Sequence, residues 1–443
     1  MALDHDVIIA GGGTAGVIAA IAAARGGART LIVEQNGHLG GTAVMGIPFL
    51  GIFDGMDRQV NAGIVQELID RMKAENGSLG GCFGTTWNDG KYRFSITPFD
   101  EEIYKYVAQE MALEAGCDIL FHSLVVSAEH SGRSVDSITV ANKSGLSRLT
   151  AKVFVDCTGD ADVAARCGVS MVPKTAVQNS SILFKVGGVD NAAFLAALKA
   201  GKGLTGWGEW HTRVLTGPRL NSDLPGPIHM AGHITGRDGR EITFTAVSFY
   251  DGEVCLNASR TVGIDGTDAA SVTAGELSER RHIHDVMETL RQNVPGFENA
   301  HIIASAPLGI RESRNIDGVY RLEMEDVLSG REFEDSVARG AYPIDQHDPK
   351  GGRTQFRFIE GCGSYTIPYR CYLTKELDNL LVAGRCLSAS HAAMGSARIM
   401  GAAMAGGQAV GTAAALAVKH GVAPAALDAA VLRKKLAEDG AIL

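Results

Sequence analysis

Asp6-Val-Ile-Ile-Ala-Gly11-Gly12-Gly13-Thr14-Ala15-Gly16, followed by an alanine-rich run to Leu31-Ile-Val-Glu34 and then by Gly40-Gly41-Thr42, decides how the chain is read. An apolar strand, a glycine turn, a helical run and a second apolar strand with an acidic end make a βαβ unit. In such a unit the first glycine permits the tight turn, the second lets backbone approach a pyrophosphate, and the third lets helix and strand pack closely. The helix starting near Thr14 aims free N–H groups and its positive dipole end at that diphosphate. Glu34 stands roughly 20 residues on, where this fold places a carboxylate for an adenosine ribose. The alternative, a glycine turn that only packs a helix, leaves Glu34 without a role.

The chain has 443 residues. Domains usually span roughly 100 to roughly 200 residues, so two or three are expected. A hydrophobic fraction of 45% with 21% charged residues is that of a globular protein. The net charge of −9 argues against nucleic acid or an anionic membrane as partner. Eight cysteines without a C-x-x-C pair argue against zinc ribbons, cysteine-held iron–sulfur clusters and dithiol reductases; no metal is expected. Free thiols fit a reducing, cytoplasmic setting. Two uncharged runs, Val7 to Ala24 and Ile399 to Val418, are read as buried helix and strand rather than membrane spans. The first follows Asp4 and Asp6, and the second is Ala/Gly-rich with Gly407-x-x-x-Gly411, which suits close helix packing.

Helices are expected at Ala62–Ala74, from Pro98 to Gly116, from Asp268 to about Asn293, from Ser396 and from Pro424, on hydrophobic periodicity and end signals. Strands are expected at Asp118–Phe121, Leu124–Glu129, Ser137–Ala141, Ser147–Val155, Glu241–Tyr250, Glu253–Ala258 and Leu380–Ala383, the first group forming a β-meander over a parallel sheet. The class is α/β, with a Rossmann-like domain at 1–170 resumed at 377–443 and an inserted α+β domain at 171–376.

Gly11-x-Gly13-x-x-Gly16, Glu34, Gly40-Gly41-Thr42, Thr158-Gly159-Asp160 and Asn379-Leu-Leu-Val-Ala-Gly384-Arg385 together resemble the FAD-binding elements of glutathione-reductase-like flavoproteins. With Gly309-Ile-Arg311-Glu-Ser-Arg314 and Ser388-Ala-Ser-His391-Ala-Ala-Met-Gly395-Ser396-Ala-Arg398, the chain is most similar to the FAD-dependent oxidoreductase family, a relative of fumarate reductase and succinate dehydrogenase flavoproteins. The resemblance covers nearly the whole chain and implies FAD. It implies that Thr14 and Ala15 join the glycine loop in holding it, that Val125 backbone meets the adenine, and that Arg385 lies in the last FAD loop. Gly395 and Ser396, read as a helix start, are expected to place N–H groups beside the flavin pyrimidine. A histidine that carries flavin covalently in fumarate reductase relatives is replaced by Gly41, so the FAD is expected to be noncovalent. Aromatic hydroxylases carry an aspartate where this chain has Arg385.

The residues expected to act on substrate are Arg398, His391, Arg311, Arg314 and His347. Arg398 resembles the arginine with which fumarate reductases clamp a carboxylate, a task suited to a guanidinium; pairing with a buried carboxylate is the alternative. Arg311 and Arg314 share a face if their segment is helical and split if it is extended, with Glu312 placed to neutralise either. His391 is a candidate proton carrier. His347 with Asp345, in Tyr342-Pro-Ile-Asp345-Gln-His347-Asp348-Pro, is a candidate acid–base pair. Trp207 and Trp210 with His211 are pocket candidates, and His282 and His284 diverge on a helix.

The function expected is hydride transfer between flavin N5 and a small polar or anionic organic molecule. An NAD(P)H-fed flavin monooxygenase and a sensor or non-redox protein with structural FAD are the alternatives. The partners are a small-molecule substrate and an electron donor or acceptor, with self-association left open.

Overall fold

The computed structural model describes residues 5–174, 176–200, 211–214, 218–219, 222–225, 228–235, 241–347 and 354–443. Trp207 and Trp210 lie outside these, as do Asp348 and Pro349; of His211 only the backbone strand His211–Val214 is described.

Five short strands form a parallel sheet in the order Leu380–Val382, Val153–Asp156, Val7–Ala10, Thr30–Val33, Asp118–Leu120. Val7 pairs with Thr30 on one side and Val153 on the other, and Leu380 pairs with Phe154. The first four strands are buried throughout, which is why they read as continuous apolar runs rather than as alternation. The first βαβ unit is closed by the helix Thr14–Arg25.

The meander Leu124–Ser131, Ser134–Asn142, Gly145–Leu149 is a separate antiparallel sheet. The run Ser147–Val155, expected as one strand, divides between two sheets. Its first part is half-exposed and belongs to the meander, whereas Val153–Asp156 is wholly buried in the parallel sheet. Asp6 carbonyl, accepting from Lys152 and Val153 N–H, marks the break. A hairpin, Cys82–Trp87 with Tyr92–Ile96, lies where no element was expected.

An antiparallel six-stranded sheet follows in the order His211–Val214, Ile228–Thr235, Glu241–Ser248, Glu253–Asn257, Leu183–Gly187, His301–Ser305. The helix Ala269–Asn293 lays Ile283, Val286, Met287 and Leu290 on it, and its N-cap Asp268 accepts from Ala270 and Ser271 N–H. This second core runs from Ile182 to Leu308. Residues from Leu322 to Leu373 belong instead to the core of the first helix and the C-terminal helices.

The helix Met400–His420 is long and apolar enough to cross a membrane by length and composition, but 83% of its most apolar window is buried within the molecule. Gly407 lies against Ala15, Gly411 against Ala19 and Ala415 against Gly26, so it runs parallel to Thr14–Arg25 at near backbone contact. The glycine spacing serves interhelix packing. Gly407 stands beside Ala15, and the C-terminal helix starts well before it, at Met400. At a rise of about 1.5 Å per residue, that start projects about 10 Å beyond Ala15.

Candidate active site

Each glycine of the first turn has a distinct geometric reason. A Cβ at Gly16 would overlap Gly11 O, which fixes how closely helix meets strand, whereas a Cβ at Gly13 would meet nothing within 4 Å. Open space at Gly13 faces the start of a helix whose N-cap is Gly13 itself and which has no side-chain cap. Uncapped N–H groups beside open space suit an anion. Glu34 is buried, and its carboxylate accepts from Gly12 N–H at 2.7 Å, Asn36 N–H at 2.8 Å and Asn36 Nδ2 at 2.7 Å. Glu34 thus shapes the glycine turn as well as standing where a ribose is expected. Gly40 N–H donates to Gly12 O at 2.8 Å, which draws the Gly40-Gly41-Thr42 segment onto the turn.

Gly41 has a φ of 52°, and a Cβ there would lie 2.9 Å from Gly13 Cα. A histidine could not stand at that position without displacing the turn.

The Thr158–Asp160 loop is built from below by buried Asp156, which accepts from Thr158 N–H at 3.1 Å, Thr158 Oγ1 at 2.7 Å and Ala164 N–H at 3.0 Å. Arg385 Nε donates to Gly159 O at 3.3 Å and its Nη2 to Asp160 Oδ1 at 3.1 Å, so the last strand's loop is tied to this one. Arg385 is bound to protein here. Gly384, with a φ of 72°, approaches Ala15 of the first helix. Val125 is buried and pairs with Val140; the register shifts just after it, and Val126 carbonyl accepts from Arg166 Nε at 3.1 Å.

Gly395 and Ser396 do not start a helix. They sit inside the short helix His391–Ala397, whose N-cap is Ser390; the next helix begins at Met400. Gly395 is there to let Ile344 and Asp345 pass, since a Cβ would lie 3.0 Å from Asp345 O. Ser396 Oγ donates to Tyr342 O at 2.5 Å and shares a bond with Tyr365 OH at 2.9 Å, so it is consumed in packing. The next helix start at this end is Met400, after Ile399; it has no side-chain cap, and its Gly401 N–H donates to Leu50 O at 3.1 Å.

Residues 310–315 form neither helix nor strand, and Arg311 and Arg314 split. Arg314 joins the Thr158–Asp160 loop, donating from Nε to Asp160 O at 2.6 Å and from Nη2 to Asp162 Oδ1 at 2.7 Å. Arg311 turns to the antiparallel sheet and donates to Asn179 O at 2.6 Å, Ser181 Oγ at 2.7 Å and Asn257 Oδ1 at 3.3 Å. Glu312 neutralises neither. Its buried carboxylate meets Lys174 Nζ at 2.7 Å and His391 Nδ1 at 2.7 Å, and accepts from Gln178 N–H at 3.1 Å. Burial alone would raise the Glu312 carboxyl, but the His391 contact and the Lys174 charge overcome it and leave it lowered, as opposite charge does for a carboxylate. His391 therefore has one ring nitrogen on a fixed carboxylate, an arrangement that orients the other.

Arg398 Nη2 donates to Gln178 Oε1 at 3.2 Å and lies 3.4 Å from both Asp345 O and Asp345 Oδ2. His347 is buried, with Nδ1 2.9 Å from Thr354 Oγ1 and Nε2 3.6 Å from Asp345 Oδ1, so the His347–Asp345 pair faces without a hydrogen bond. Burial, together with Arg311, Arg260 and Arg398, holds its imidazole far toward the neutral form, since each disfavours an added positive charge. Burial and the charges of Arg398 and Arg260 likewise push Arg311 down to about 9. The structure thus gathers Arg398, Arg311 and His347 around a shared positive field, sets His391 on Glu312 beside it, and leaves Arg314 with the cofactor loop.

A family model for FAD-dependent oxidoreductases matches residues 6–436. The chain belongs to the FAD-dependent oxidoreductase family. Among solved structures, this oxidoreductase is similar to a triple mutant of a flavin-dependent brominase, with TM-score 0.51 and 13% identity over 98% of this chain and 84% of that one. It is also similar to the myxobacterial chondrochloren halogenase, with TM-score 0.50 and 11% identity over 97% and 78%. A geranylgeranyl bacteriochlorophyll reductase-like protein from Thermoplasma acidophilum aligns with TM-score 0.48 and 12% identity over 99% and 84%. These likenesses concern the fold. No curated protein matches the chain.

FAD is the cofactor of this flavoenzyme, and the residues fit it. Open space at Gly13, the uncapped helix start at Thr14 and the Glu34 carboxylate suit the diphosphate and ribose. A second helix start, at Met400, stands about 10 Å further along and lacks a side-chain cap, although its Gly401 N–H donates to Leu50 O at 3.1 Å. When bound, FAD supplies a two-electron acceptor and donor at its isoalloxazine ring.

Sequence reading missed Gln178, Arg260, Lys174 and Glu279 as members of the polar site. Gln178-Asn-Ser-Ser181 is a polar run entering the apolar strand Leu183–Gly187, and polar residues ahead of a core strand are the signal that pointed there.

Proposed function

We propose that this oxidoreductase moves hydride between flavin N5 and a small organic anion seated by Arg398 and Arg311, with FAD held noncovalently. Arg311 carries the reading. Its guanidinium is bonded to neutral oxygens, and among the described residues no carboxylate lies within ion-pair reach, while burial and the charges of Arg398 and Arg260 outweigh the more distant Asp345 and Glu279. A buried charge with neutral partners and like neighbours is costly unless an anion joins it. Gly41 supports the noncovalent link, because its contact with Gly13 leaves no room for a tethering side chain.

Anaerobic mixing of the holoenzyme with small carboxylic acids and their methyl esters tests this reading. Bleaching of the flavin by an acid and not by its ester is expected, and Arg398→Ala should cut turnover by about 100-fold, as for loss of a charged hydrogen bond worth about 3 kcal/mol, with flavin content retained. Equal bleaching by esters would overturn the anion seat. Oxidation of NAD(P)H coupled to oxygen insertion would replace it with the monooxygenase reading.

A further inference from the structure

Three polar atoms of one connected network are buried without a hydrogen-bond partner among the described residues: Gln178 Nε2, Arg398 Nε and Asp345 Oδ1. They are linked through Arg398 Nη2, which reaches Gln178 Oε1 at 3.2 Å and Asp345 Oδ2 at 3.4 Å. The Gln178 amide cannot turn over, because its NH2 would then oppose the guanidinium. Two of the orphaned atoms are therefore donors and the third is an acceptor. Native structures leave few such groups unpaired, and a catalytic role is one of the recognised reasons.

From this complementarity we infer that the substrate of the proposed anion site is a 2-hydroxy acid, its carboxylate taken by Arg398 Nε and Gln178 Nε2 and its hydroxyl donating to Asp345 Oδ1. The inference rests on the anion reading above and adds the hydroxyl. A ligand bearing a donor beside its carboxylate answers both kinds of orphan at once. An amine would also donate, but the charges disfavour it. Arg311 is pushed down by burial and by the charges of Arg398 and Arg260, with Asp345 and Glu279 acting the other way, and burial pushes the Glu279 carboxyl up, toward its neutral form. An added ammonium would repel Arg398 and Arg311, whereas a carboxylate attracts them.

His347 completes the arrangement. Its Nε2 is 3.6 Å from Asp345 Oδ1, so a hydroxyl bonded to that oxygen lies beside the imidazole. His347 Nδ1 is 2.9 Å from Thr354 Oγ1; in the tautomer whose hydrogen lies on Nδ1, Nε2 carries the lone pair. Burial first, and then the three guanidiniums, hold the ring neutral; a bound carboxylate opposes the guanidinium part and so favours proton uptake by His347 when substrate is present. In the oxidation the hydroxyl swings its one hydrogen from Asp345 Oδ1 to the adjacent His347 Nε2, the O–H bond breaks and the proton stays on that nitrogen. The C2–H bond breaks with its electron pair and hydrogen going as hydride to bound FAD, which is thereby reduced by two electrons. The C2–O bond becomes a carbonyl, and the product is a 2-oxo acid.

Calorimetric titration of the holoenzyme with glycolate, lactate, 2-hydroxybutanoate and mandelate, each against its deoxy and 2-amino analogue, tests the inference. A hydroxy acid should bind at least about tenfold tighter than its deoxy partner, as one buried hydrogen bond to a carboxylate allows, and the amino analogue more weakly than either. In Asp345→Asn the hydroxy-to-deoxy ratio should fall toward one with deoxy-acid binding retained, while Gln178→Leu should weaken both acids alike and keep the ratio. Equal affinity of hydroxy and deoxy acids, or tighter binding of the amino acid, would sink the hydroxyl assignment and leave the anion seat standing. Failure of every acid to bind would remove both.

Discussion

Glu34 shows how a single carboxylate shapes the proposed cofactor turn. It accepts three N–H bonds, one of them from Gly12 inside the turn, so Glu34→Ala removes the partner proposed for the ribose and also leaves a buried N–H unpaired. Loss of a hydrogen bond to a charged group costs about 1.5–3 kcal/mol, so FAD affinity should fall about ten- to 100-fold, read by flavin fluorescence on titration of the apoprotein. Unchanged affinity would mean that the carboxylate serves the turn alone. Glu312 gives a pH dependence. Its carboxyl is held below its ordinary 4.5, so the stability it contributes is fully present above that value and is lost as pH falls through the lowered one. Thermal midpoints should drop on acidification below about pH 4.5. The drop should be shallower in Glu312→Gln, and identical slopes would contradict the assignment. At this scale the sequence was informative where chemistry follows from spacing: Gly11, Gly13, Gly16 and Glu34 stand in the expected relation. It was uninformative about partners, because Glu312 meets Lys174 and His391 at separations of 138 and 79 residues, which no local pattern encodes.

The two parallel helices carry the site at the next scale. Alanine normally stabilises a helix relative to glycine, yet a Cβ at Gly411 would overlap Ala19 O, so the interhelix gap must widen. Gly411→Ala should therefore destabilise the protein by about 1–3 kcal/mol, measured by denaturant unfolding, and lower flavin retention because both helix starts shift together. A stabilised variant would show that the contact is not tight. The apolar, alanine-rich composition made both helices legible, but the start of the second was placed four residues early. Gly395-Ser396 reads as a helix opening, whereas it ends a short helix whose glycine clears the Ile344–Gln346 strand. Cross-chain packing, absent from local periodicity, set that boundary. The split of Ser147–Val155 has the same origin, since only pairing with Val7–Ala10 separates Val153–Asp156 from the meander.

Across the whole molecule, the first core joins the N-terminal helix, the stretch Leu322–Leu373 and the C-terminal helices, while the second core is built around the six-stranded sheet. The proposed diphosphate and flavin ends of the cofactor cradle both lie in the first core, and the arginine cluster draws Arg398 from one part and Arg311 with Arg260 from the other. A ligand that binds only the folded state stabilises what it touches, by about 2.7 kcal/mol at a concentration about 100-fold above its dissociation constant. Adding FAD to the apoprotein should therefore slow amide hydrogen exchange chiefly in 7–25 and 400–411, with a smaller effect in 253–257 and 283–290. Adding a substrate acid to the holoenzyme should then slow exchange in 178–187 and 253–260, where the strands that seat Arg311 lie. The order matters, because the two ligands are assigned to different cores. Equal protection of both cores by FAD alone would mean that the coenzyme spans them, and the anion seat would have to be sought away from Arg311.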